Sequence, residues 1–221
     1  MENKNFERVL PEGYRLEVIM DATRGKFMVI MLLLSVLIMV LCAVPMILPF
    51  LGGMPAGEIN LVHLWIAFIA IIAYIILHEL THGAVYKKMT GEPLTYGFSF
   101  TCAYCGVPKI YTYRRCALYA VLAPFVIFSI IFIPLMIIAW HVSLATYFIV
   151  ALVALQHFSG CSGDLYVAAM LLFRYRDGRT LMNDTGPRMT LFVYEGDSYV
   201  RDEKTAEIAA QIAALGERGT K

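Results

Sequence analysis

Four long runs of almost unbroken apolar residues divide the chain, at 27–50, 61–86, 117–140 and 142–173. A helix needs about 20 consecutive apolar residues to cross the hydrocarbon core of a bilayer. Each run meets that length, so four transmembrane helices are expected. The first run closes on Pro45 and Pro49 with Gly52 and Gly53 beyond, which predicts a kinked or unwound outer end. The intervening segments follow other patterns. Residues 1–26 are polar, turn at 11–13, and then alternate at Tyr14, Leu16 and Val18 with the period of a short strand or interfacial segment. The stretch "TYGFSFTCAYCGVPKIYTYRR" is rich in Tyr, Phe and Thr, is broken by Gly97, Gly106 and Pro108, and predicts short strands at 96–102 and 109–113. After residue 174, "MTLFVY" and "SYV" suggest a strand pair hinged at 195–197. A last helix then aligns Ile208, Ile212 and Leu215. The expected fold is an all-α membrane protein with four transmembrane helices in one domain at 27–173. A hairpin-like loop joins helices two and three, and the polar ends, 1–26 and 174–221, form an N-terminal segment and a short β/α tail.

Composition strengthens the membrane assignment. Of the 221 residues 59% are hydrophobic and 16% charged, against roughly 25% charged in soluble domains, and the mean hydropathy is +0.68. The first run is too long for the core of a cleavable signal, and five acids precede it. The 18 lysines and arginines orient the chain: five precede residue 27, five lie between Lys87 and Arg115, and eight follow from Arg174 onward. The loops at 51–60 and 141–143 have none. By the positive-inside rule both termini and the second loop face the cytosol of a cell membrane, with Gly53 and Ser143 on the other side. A net charge of +1 without a basic block argues against nucleic acid as a partner. Cysteines 42, 102, 105, 116 and 161 fall in spans or the cytosolic loop, so no disulfide framework is implied. The single C-x-x-C at Cys102 and Cys105 lacks the second pair a structural zinc site needs.

The chemistry lies at 73–87, "AYIILHELTHGAVYK". Insertion scales put a central acid at about 2.5 to 3.5 kcal/mol in a bilayer, so ionisable groups here need a purpose. His78, Glu79 and His82 form H-E-x-x-H. Four helical residues turn about 400°, which places both imidazoles on one face and lets them share a Zn²⁺. Glu79 lies beside them, free to act as general base on metal-bound water. With five His and eleven Glu in the chain, chance yields this pattern about 0.005 times. A hydrogen-bonded polar patch would need no such spacing.

A catalytic zinc normally takes three protein ligands. The metzincin extension fails, because Val85 and Lys88 stand where Gly and His are required, and Glu92 is too close to His82. Across the four runs the only acids are Glu79 and Asp164. Asp164, in "QHFSGCSGDLYVAA", lies at a depth similar to that of His78. Gly160, Gly163 and small neighbours permit close helix approach or local unwinding. His157, seven residues earlier, is the rival ligand or a substrate-orienting residue. In a regular helix only one of the two can ligate, and Asp164 is favoured because a buried carboxylate is harder to explain otherwise. His63 and His141 read as interfacial.

These features resemble the site-2 protease group of intramembrane zinc metalloproteases. More closely, the layout is similar to small bacterial membrane proteins known as putative zincin peptidases, through "HELTH", "LAPF" in the third span and "SGD" in the fourth, across about residues 10–195. The resemblance implies zinc held by His78, His82 and Asp164, water activated by Glu79, and a loop edge that binds an unwound substrate segment. It departs from the group's usual N-P-D-G or L-D-G context at "SGDLY". The leading expectation is a membrane-embedded zinc metalloendopeptidase acting on a membrane protein or peptide. The alternative is a non-catalytic metal transporter, sensor or scaffold, neither of which needs a base between the two histidines.

Overall fold

The computed structural model of the chain describes residues 4–51, 58–99 and 102–217. Four helical segments are long and apolar enough to cross a membrane. Helix α1 (Gly25–Leu51) stays helical past Pro45, so no unwinding is seen up to its end; Gly52 and Gly53 lie outside the described residues. Helix α2 (Leu61–Thr90) begins at Asn60, whose side chain accepts from the Val62 and His63 amides. It ends at Gly91, whose φ of 71° suits a residue without a Cβ. His63, placed at the interface from sequence, completes that cap by accepting from the Asn60 amide. Helix α3 (Arg114–Val142) carries Pro124 and Pro134 inside it.

The fourth span is not one regular helix. Helix α4 (Leu144–Gly160) stops at Cys161, helix α5 (Ser162–Ala169) restarts, and a π turn (Met170–Arg174) closes the span. The carbonyl of Leu171 in that turn accepts from the Arg114 guanidinium at 2.7 Å. The break takes the local unwinding that small residues at 159–163 permit. Close approach is not its cause, since a Cβ at Gly160 or Gly163 would meet nothing nearer than 3.4 Å.

The strands are where the all-α expectation fails. Strands β1 (Phe6–Glu7), β2 (Tyr14–Asp21), β5 (Tyr111–Tyr113), β6 (Leu181–Asp184) and β7 (Arg188–Tyr194) make one five-stranded sheet ordered β1-β5-β6-β7-β2. The leader, the middle loop and the tail therefore share a single hydrogen-bonded body at one end of the bundle. Strand β7 pairs with β6 and β2; "SYV" forms no strand. Of the strands expected at 96–102 and 109–113, the first is β3 (Thr95–Phe98), which pairs with β4 (Ala103–Gly106) in a separate hairpin, and the second is β5, which joins the five-stranded sheet.

Alternation explains how the sheet is covered. Met182 and Leu191 face the bundle, packed with Ala117, Val121, Val167 and Leu171. Leu181 and Phe192 face the other way, under Ile208 and Ile212 of helix α6 (Glu203–Glu217). Leu215, expected on the same stripe, is 40% exposed. A bulge between Leu16 and Val18 switches parity in β2, so Tyr14 and Leu16 face α6 while Val18 and Met20 face the bundle. The simple alternation of Tyr14, Leu16 and Val18 is therefore broken by one extra residue.

Candidate metal centre

The H-E-x-x-H segment lies on regular helix, so His78 and His82 stack one turn apart with Nε2 atoms 3.1 Å from each other. Asp164 comes from the first turn of α5, just past the Cys161 break. Its carboxylate stands 3.2 Å from His78 Nε2 and 3.5 Å from His82 Nε2. All three side chains are about one-tenth exposed or less. Among the described residues, this is the group of His, Cys, Asp and Glu close enough to hold a metal ion.

Hydrogen bonding sets the tautomer of His82 and links His78 to a chain of polar groups. His82 Nδ1 lies 2.8 Å from the Ala120 carbonyl; a carbonyl only accepts, so Nδ1 carries the proton and Nε2 presents a lone pair. His78 meets a longer chain. Its Nδ1 lies 2.9 Å from Tyr74 Oη, which lies 2.9 Å from His157 Nδ1. His157 Nε2 lies 3.0 Å from Ser129 Oγ, and Cys161 Sγ lies 4.0 Å from Tyr74 Oη and 3.6 Å from His157 Nδ1. The state of this chain that suits a metal has His157 donating through Nε2 and accepting at Nδ1 from Tyr74, whose oxygen accepts from His78 Nδ1 and leaves His78 Nε2 bare.

In that state two lone pairs and a carboxylate converge in a buried space, an arrangement that calls for a cation. Ligands 2.0–2.1 Å from a tetrahedral zinc stand about 3.3 Å apart, and the three separations here bracket that figure. The residues fit the ion. His157 is not among the three; it stands behind His78, two hydrogen bonds removed through Tyr74.

Glu79, half-buried, lines the same cavity of about 690 Å³, with its carboxylate toward the Cys105 amide. The cavity is walled by Met31 and Ser35 of α1, Gln156 of α4, the β3–β4 hairpin, and Asp184 with Gly186 at the sheet. The hairpin lies against α2 because residue 83 is glycine: a Cβ there would run into the Tyr96 hydroxyl. Asp184 is a second buried acid, accepting from Tyr86 Oη at 2.7 Å and the Gly186 amide at 2.8 Å. Burial pushes its carboxyl up to about 7. Burial likewise pushes the Cys105 thiol up to about 12. Sequence reasoning missed Tyr74, Ser129, Tyr86 and Asp184. The one available signal was Tyr74, a hydroxyl exactly one turn ahead of His78 in an apolar run.

Fold and site together define a class: a helix-rich chain with four potential membrane spans and a three-residue candidate metal centre between them. Residues 71–178, which include His78, Glu79, His82 and Asp164, match the model of a family described as "putative zincin peptidase". That match suggests a metallopeptidase and implies zinc as its cofactor. No curated protein and no solved structure matches the chain.

Proposed function

We propose that the protein is a membrane-embedded zinc metallopeptidase in which His78, His82 and Asp164 hold the ion and Glu79 is the general base. The observation that carries this reading is the convergence of two imidazole nitrogens and a carboxylate beside a glutamate in one cavity. Bound zinc polarises a scissile carbonyl and brings the pKa of its water toward 7. Glu79 takes a proton from the attacking water as the new C–O bond forms, and returns it to the amine as the C–N bond breaks. Asp164 balances charge at the site, and Tyr74 with His157 holds His78 in its ligating tautomer.

Substrate enters along the hairpin. Strand β3 pairs only with β4 among the described strands, so its outer edge offers backbone groups to an extended peptide. The basic residues cluster at the sheet end, which supports a cytosolic sheet and cytosolic termini. The test is Glu79→Gln in the detergent-solubilised full chain. Zinc should remain at one per chain while peptide hydrolysis falls by about 10²- to 10⁴-fold. Undiminished hydrolysis by the variant refutes the assignment.

A further inference from the structure

The carbonyl of residue i in an α-helix accepts from the N–H of residue i+4. In α3, four residues after Ala120 comes Pro124, which has no N–H to give and whose ring presses on the carbonyl of residue i−4. The Ala120 carbonyl therefore lacks its helical donor. Ala120 is fully buried and Pro124 is buried beside it, so water cannot serve instead. An unpaired buried carbonyl is expensive. This one is paired, and its partner is His82 Nδ1 at 2.8 Å.

We propose that Pro124 is a positioning residue for the metal centre: by withholding its N–H it frees the Ala120 carbonyl to hold His82 as the Nδ1–H tautomer. The bare Nε2 then faces His78 and Asp164. Such a partner on the far nitrogen of a ligating histidine fixes ring orientation and raises ligand basicity. A proline inside a span normally needs its lost helical bond made good by a neighbouring helix, and here the repair is the metal ligand itself. The second proline of α3 differs. Ile130, four residues before Pro134, is 68% exposed on the bundle's outer surface, far along the helix from the site.

The inference rests on the proposed metal centre but not on hydrolysis, so the test reads metal and tautomer alone. In full-length Pro124→Ala, the new N–H competes for the Ala120 carbonyl. Zinc affinity, measured by chelator competition, should fall by about 10- to 100-fold. The thermal midpoint of the metal-free protein should hold or rise, because alanine favours helix. Pro134→Ala gains the same helix propensity and should bind zinc as the parent does. Equal zinc affinity in Pro124→Ala and the parent overturns the proposal, and so does an equal loss in Pro134→Ala. A loss of affinity accompanied by a lower midpoint would mean a structural role only, and also overturns it. Should Pro124→Ala fail to fold, ¹⁵N shifts of His82 in the metal-free parent decide: a protonated Nδ1 supports the proposal, and a protonated Nε2 with bare Nδ1 refutes it.

Discussion

Two hollows among the described helices contrast in a way that shows what makes a site. The one away from the sheet, about 330 Å³, is bounded by Cys42, Met46, Met136, Trp140, Tyr147 and Phe158. Its tyrosine hydroxyl donates to the Met46 carbonyl at 3.1 Å, which leaves an apolar surface. The one beside the sheet is about twice as large and contains His78, Glu79, His82, Asp164 and Asp184. The difference is one of hydrogen-bond accounting. At the sheet end His78, His82 and Asp184 are held by Tyr74, the Ala120 carbonyl and Tyr86, and all three line the cavity. Volume among membrane helices is common; acceptors left bare together are rare.

The change that most erases this contrast is Asp164→Ala. Zinc content should drop from one per chain to near zero, with affinity down by more than about 100-fold, a larger loss than that of a supporting hydrogen bond. Elemental analysis after mild extraction checks it.

Asp184 sharpens the contrast, because it is an acid of the sheet and not of the metal cluster. Its carboxyl titrates near 7 in the folded chain and near 3.9 unfolded. The folded state therefore keeps a proton that the unfolded state releases between those values. Stability should be full below about pH 4, decline by at most roughly 1.4 kcal/mol per unit as pH rises to 7, and level off above. Asp184→Asn should remove that decline in thermal midpoints of the metal-free protein measured from pH 4 to 8. An unchanged slope would show that the acid is not responsible.

Tyr74→Phe removes the hydroxyl between His78 and His157 while keeping the ring packed against Phe128 and Phe132. About a tenfold loss of zinc affinity is expected, with little change in stability, by the same chelator competition. Smallest is Cys42→Leu, which adds apolar volume to the distal hollow. Zinc affinity should stay within about twofold of the parent; a larger change would tie the two hollows together.

Much of this was legible beforehand, and the reason is locality. The spans follow from runs of apolar residues, and the facing of His78 and His82 follows from helical pitch within five positions. Asp164 stood out because an acid inside an apolar run has few explanations. The sheet was harder. Five short strands from the leader, the middle loop and the tail pair across up to some 180 positions, as Tyr14 does with Tyr194, and short alternations carry no label for their partner. The bulge in β2 and the break at Cys161 each turn on one residue, below what periodicity resolves.

The amino-acid order alone determined which segments are apolar enough for a bilayer and which histidines share a helix face, because both depend only on neighbours along one chain segment. Tertiary structure decided which acid joins them, which nitrogen of His82 is bare, and how leader, loop and tail close over the bundle. Those outcomes depend on groups far apart in sequence meeting where water is excluded, and there each donor must find an acceptor among whatever the fold brings near.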